Sequence, residues 1–213
     1  MTTKELAHNL FDYCTMRQYP LSRIPGHVNI IYLEGSNADG TPNQDQPDRW
    51  NDRRIILMFT QNGDPYIDLN HAATTEPGWA ATIAKKARAL GGVARIQFGQ
   101  QTAWKVGFHK SNPGHPALVQ CAPVNVFRDL NQDGKRPGDL ISPATGINQH
   151  GTRSGWSGLM VGLFSEGCLV GWLWPQHLAF MRQVMKDPRY IADKDFVFAT
   201  TVIPGDDFYR CVS

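Results

Sequence analysis

A thiol and an imidazole stand close together in the second half of the chain: Cys168, set in Ser165-Glu166-Gly167-Cys168, and His150, set in Ile147-Asn148-Gln149-His150-Gly151. Cysteine attacks as its thiolate, and a neighbouring imidazole favours that form by accepting the proton and pairing with the anion. Glycine before the cysteine allows close approach and unusual dihedrals, so backbone N–H groups near Gly167 and Cys168 are candidates to face a developing oxyanion. Taken singly, each residue has a plainer account. Cys168 runs into Leu169-Val170-Gly171 and would pass for a buried strand thiol, and His150 would pass for a polar strand end.

Such a pair needs elements that bring it together. Residues 146–150 and 168–172 read as strands bracketing a Gly- and Ser-rich loop over 151–158, which sets both groups at strand ends. Short β-branched and apolar runs predict further strands over 28–33, 54–60, 65–69, 94–98, 103–108, 117–120, 124–127 and 196–202, with Asn62-Gly63 as a hairpin turn. Leu6, Leu10, Tyr13 and Cys14 at helical spacing predict a helix over 3–18. A second helix is expected over 80–90, stopped by Gly91-Gly92, and a third from Pro175 to just before Pro188. Residues 34–53 read as a long loop and everything from Pro204 as a tail. The expected fold is mainly β with peripheral helices (α+β): an N-terminal helical arm over 1–22 and a single domain over 23–213.

Composition agrees. In 213 residues, 41% are hydrophobic and 19% charged, enough for a core without metal or disulfide support, while 20 Gly and 14 Pro suit a turn-rich β body. The net charge of +2 comes without a basic stripe, so nucleic acid is not an expected partner. No stretch reaches the length of a membrane span. Residues 1–10 lack an apolar signal core, so synthesis in the cytoplasm without an export signal is expected. Cys14, Cys121, Cys168 and Cys211 are scattered without C-x-x-C spacing, which predicts four reduced thiols.

The segment 146–171 resembles the signature of the L,D-transpeptidase catalytic domain: a histidine followed by a small residue, an intervening loop, then Ser or Thr, a variable residue, Gly and Cys. The resemblance implies that family's β-sandwich or mixed-sheet domain, with one helix after the cysteine strand. It also implies Cys168 as nucleophile, His150 as base, the Gly151 carbonyl orienting the imidazole, and the Gly167 N–H near the oxyanion. Ser165 and Glu166 would then lie against substrate. Family members usually carry His where this chain has Glu166, and Asn or Arg where it has Val170.

The reaction implied is acyl transfer on peptidoglycan stem peptides through a Cys168 thioester, with no cofactor required. Water as acceptor makes a carboxypeptidase or endopeptidase, and a second stem makes a cross-linking transpeptidase. The missing export signal favours hydrolysis by a lysin-like enzyme that reaches the bacterial wall after release or delivery. The rival classes are a non-catalytic wall-binding or phage structural module of the same fold, and a calcium-stabilised binding domain with an incidental thiol.

Other residues carry weaker signals. Glu76 and Arg95 are candidates to meet charged groups of a stem peptide, with ordinary salt bridges as the alternative, and Trp156 is a candidate to line a groove. Asp129, Asn131, Asp133, Lys135 (through its carbonyl) and Asp139 space oxygen ligands like a structural calcium loop, although Leu140 stands where a bidentate Glu is expected. The alternative is a solvated turn with Asx hydrogen bonds. His109 and His115 flank a Pro113-Gly114 turn and read as surface or loop histidines.

Overall fold

The computed structural model describes residues 1–110 and 114–212, so Pro113 of the expected turn lies outside the described residues. The chain is α+β, mainly sheet with several helices. Helix α1 (Thr3–Met16) comes first, followed by β1 (Asn29–Leu33), β2 (Asp52–Phe59) and β3 (Pro65–Thr74). Two short helices, α2 (Trp79–Thr82) and α3 (Lys85–Ala89), precede strands β4 (Val93–Ile96), β5 (Gly99–His109), β6 (His115–Gln120), β7 (Val124–Asp129), β8 (Leu140–Ala144) and β9 (Gln149–Gly151). A 3₁₀ turn (Gly162–Phe164) leads to β10 (Leu169–Gly171), α4 (Trp174–Val184), α5 (Pro188–Ala192), β11 (Phe198–Ile203) and α6 (Gly205–Val212).

The main sheet is mixed, and its two edges meet. Eight strands in the order β1-β11-β5-β6-β9-β10-β3-β2 form a closed barrel, and β4-β7-β8 form a separate antiparallel sheet. Closure gives each strand of the larger sheet two neighbours, β6 and β9 meeting at the single pair Leu118↔Gln149. Two pairings are parallel, β1 with β11 and β9 with β10. Alternation along each strand divides the interior. Ile30, Tyr32, Ile56 and Met58 join the main core with Trp104, Leu118, Leu169 and the α4 residues Phe180, Met181 and Val184. Ile31, Leu33, Ile55 and Leu57 face a second core closed by α1 and α6.

The N-terminal helix is thus packed on the body. A capping box starts it: Thr2 Oγ1 accepts from the Glu5 N–H at 3.2 Å and Glu5 Oε2 from the Thr2 N–H at 2.6 Å. Leu6, Leu10, Tyr13 and Cys14 are buried, each large apolar side chain being worth ~1.5–3 kcal/mol of burial. Tyr13 Oη donates to Asp207 at 2.6 Å, tying α1 to α6.

Several elements depart from the sequence reading. The expected tail is helix α6, held by the buried Phe208, which a polar sequence with so few apolar positions conceals. The expected helix over 80–90 is broken in two: the Thr82 carbonyl accepts from Gln132 Nε2 at 3.1 Å, and Ala84 turns extended. Two further helices follow the cysteine strand besides α4, namely α5 and α6. Strand β8 was not expected, since it exposes Leu140 and Ile141 and carries Pro143 on a sheet edge.

The loop between β1 and β2 is organised by buried charge. Asp52 accepts from the N–H groups of Gly35 at 3.0 Å and Thr75 at 2.6 Å, and Arg136 pairs with Glu34 at 2.6 Å. Asp45 packs beside this cluster with one carboxylate oxygen unpartnered; burial, then the charges of Glu34 and Glu76, push its pKa up to about 7. The folded protein therefore keeps a proton on Asp45 that the unfolded chain releases near pH ~4. Stability from this group is fully present below that pH and is lost as pH rises toward 7. Asp45→Asn keeps the αL-tolerant shape at φ 44° and removes the titration. Its melting temperature should exceed the parent's at pH ~8, with the gap closing as pH falls toward ~4. A gap independent of pH in thermal melts would count against this assignment.

Candidate active site

His150 and Cys168 reach one cleft because β9 and β10 are parallel neighbours. The register Leu169↔Gln149, Val170↔His150 sets Cys168 beside Asn148, and the Leu169 N–H donates to the Asn148 carbonyl at 3.0 Å. Side chains alternate across the sheet. Leu169 and Gln149 point into the barrel, where Gln149 Nε2 donates to Thr200 Oγ1 at 2.7 Å, so Cys168, Asn148 and His150 share the opposite face. His150 and Cys168 both line a cleft of about 860 Å³. Its walls come from α2 and α3 (Ala81, Ala84, Ala87), the start of the small sheet (Val93, Ala94), the β5 end (His109, Lys110), the 145–147 segment, and Leu163 and Phe164.

The turn before Cys168 is built from its own hydrogen bonds. Ser165 is fully buried; its Oγ accepts from the Gly167 N–H at 3.2 Å and donates to the Cys168 carbonyl at 2.8 Å. Gly167 has φ +125°, and a Cβ there would lie 2.8 Å from the Ala94 carbonyl oxygen, so only glycine fits. Two expectations change in consequence. Ser165 locks the turn instead of meeting substrate, and the Gly167 N–H is already spent on Ser165.

The sulfur sits between a donor and an acceptor. The Asn148 N–H points at Sγ from 3.4 Å, and Sγ lies 3.5 Å from the Gly146 carbonyl. Burial pushes the Cys168 pKa up, against the pull of the Asn148 N–H. The imidazole of His150 is 4% exposed, and its Nδ1–H donates to the Gly151 carbonyl at 2.8 Å. That contact is the one expected of Gly151, and it leaves Nε2 as the unprotonated nitrogen. Burial first, then the neighbouring His109, push the His150 pKa down to about 3. At neutral pH the cleft therefore holds a neutral thiol and a neutral imidazole, where the sequence suggested a thiolate and an imidazolium.

No protein-family model and no curated protein matches the chain.

The remaining sequence candidates divide between the cleft and the interior. Glu166 is on the cleft wall, exposed, and paired with Lys86 at 2.8 Å. Trp156 packs on Phe164, ring centroids 5.1 Å apart, and so backs a cleft residue without lining the cleft itself. Arg95 and Glu76 are buried and bound to each other at 2.5 Å, with Arg95 Nε also 3.3 Å from Asp129. The salt-bridge alternative describes them, and they do not line the cleft.

The expected calcium loop is the connection of the β7–β8 hairpin, and it uses its oxygens on itself. Asp129 accepts from the N–H groups of Asp133 and Gly134, both at 3.1 Å; Asn131 Oδ1 accepts from Asp133 N–H at 3.2 Å, and Asp133 Oδ1 from Lys135 N–H at 2.8 Å. These are Asx turns anchored by the Arg95–Asp129 pair. Asp139 keeps one buried oxygen unpartnered. Among the described residues no three His, Cys, Asp or Glu are gathered to hold a metal ion.

Sequence reasoning passed over three residues of the site. His109 lies flat against His150, ring centroids 4.1 Å apart and planes 7° apart. Asn148 touches the sulfur, and Lys86 holds Glu166. The available signal was the His109–His115 pair across a turn, which hairpin register places opposite one another.

Removing the Ser165 hydroxyl strands a buried N–H and a part-buried carbonyl, so Ser165→Ala should lower unfolding free energy in urea by about 1–3 kcal/mol. Glu166→Ala, breaking an exposed pair, should cost well under ~1 kcal/mol. Equal losses from the two variants would overturn this division of roles.

Proposed function

We propose that the chain is a cysteine-dependent acyl-transfer enzyme of the L,D-transpeptidase-like class, acting on peptidoglycan stem peptides. The observation that carries the reading is one cleft lined by both Cys168 and His150, with His150 Nδ1–H fixed on the Gly151 carbonyl and Nε2 left unprotonated. The motif supplies the substrate class. The serine, glycine and cysteine positions that carry the resemblance also have a physical task here, as the Ser165–Cys168 turn.

Neutral partners define the chemistry as general-base attack. As Sγ approaches the acyl carbon, its proton passes to His150 Nε2 and the sulfur lone pair forms the new S–C bond, while the carbonyl π pair moves to oxygen. Collapse of this adduct restores the carbonyl, breaks the C–N bond and returns the proton from His150 to the departing amine. Water, or the amine of a second stem, then attacks the thioester carbonyl as its proton passes to His150 Nε2; the new C–O or C–N bond replaces the C–S bond, and His150 returns the proton to Sγ. The Asn148 N–H beside Sγ favours negative charge on the sulfur.

The test is digestion of purified peptidoglycan by the parent and by Cys168→Ala, read by mass spectrometry of the muropeptides. Parent-dependent shortening or release of stem peptides is expected, reduced at least about a hundredfold in the variant. New cross-links in place of shortened stems would identify an amine acceptor. Equal product from both proteins would sink the enzyme reading.

A further inference from the structure

Hairpin β5–β6 carries an imidazole to the base that the proposed chemistry does not use. His109 is half-buried, lines the cleft, and stacks on His150 with ring centroids 4.1 Å apart. Its orientation follows from Asn148. The backbone N–H of Gln120 donates to Asn148 Oδ1 at 2.9 Å, which fixes the amide and turns Nδ2 toward His109 Nδ1 at 3.2 Å. A donor facing Nδ1 requires that nitrogen to be unprotonated, so His109 is the neutral Nε2–H tautomer. The same Asn148 directs its backbone N–H at Cys168 Sγ. One residue thus orients the stacked ring and touches the nucleophile.

We propose that His109 is a positioning residue for His150, holding the plane of the base and presenting an uncharged aromatic face to the imidazolium that forms when His150 takes the thiol proton. This rests on the reading of Cys168 and His150 as nucleophile and base. The charged and titratable groups acting on the stacked pair are Lys110, His115 and His177 from α4, and Cys168 and Glu166 line the same cleft. A charged His109 among them would oppose the proton transfer; the neutral tautomer does not, and a ring face attracts a cation. Burial and the charges of His115 and Lys110 hold the His109 pKa down to about 4, in keeping with the tautomer that Asn148 imposes.

The experiment uses the full chain as the parent, His109→Ala, His109→Phe and His150→Ala. Iodoacetamide alkylation is followed at Cys168 by peptide mass spectrometry at neutral pH, with ¹⁵N imidazole spectra of the parent recorded alongside. His150→Ala should slow Cys168 alkylation at least about tenfold, and His109→Ala should do the same with His150 intact. His109→Phe, which keeps a flat ring against His150, should recover most of the parent rate. The spectra should show His109 as the Nε2–H tautomer and His150 as Nδ1–H. Parent-like alkylation of His109→Ala beside a slow His150→Ala, or an Nδ1–H tautomer at His109, overturns the positioning role and leaves the pair standing. Parent-like alkylation of His150→Ala overturns the pair itself, and this role with it. If His109→Ala does not fold, His109→Phe and the parent tautomers still decide.

Discussion

The parallel pairing of β9 with β10 is the constraint on which the cleft depends. Three residues of each strand are enough, because register Val170↔His150 sets Cys168 beside Asn148 and puts sulfur and imidazole on one face of the sheet. A slip of one residue would turn Cys168 into the barrel and Leu169 out of it. Register is held from both sides. Gln149 is pinned across the barrel to Thr200, and Leu169 is seated in the main core. Interior packing thereby fixes the geometry of an exterior site.

A parallel pair needs a crossover, and the 17 residues from Thr152 to Cys168 supply one without a helix of ordinary length. That segment spends its chemistry on holding its end. Ser165 and Gly167 form a turn that approaches the Ala94 backbone too closely for any side chain, so the small sheet buttresses Cys168. The buried Arg95 lies in the same strand as Ala94 and joins Glu76 to Asp129, linking that buttress to the β3–α2 connection and the β7–β8 hairpin. Leaving any one of those charges unpaired would be costly, which gives the network the character of a rigid frame.

Inside the cleft, burial dominates charge. It drives the thiol and the imidazole toward their neutral forms, so the proposed attack on an acyl carbon would transfer a proton as the bond forms and would draw on the backbone N–H aimed at the sulfur. Asn148 concentrates that aim. Its N–H meets the sulfur, its carbonyl belongs to the β-ladder, and its amide bridges the Gln120 backbone and His109.

Local pattern sufficed for what depends on neighbours in sequence: the α+β class, most strands, helices α1 and α4, and the Asn62-Gly63 turn. It failed where the deciding partner is far along the chain. Helix α6 forms because Phe208 finds a core built by α1 and β1, and β8 forms because β7 offers an edge. Ser165, Arg95 and Glu76 are residue types that suit a substrate as well as an interior, and only their burial shows which they serve. His109 is the sharpest instance. Its type and position spoke of a loop, and a stack with His150 exists only after β5, β6, β9 and β10 line up in the barrel, an order set by cooperative burial of distant segments and not by any local preference.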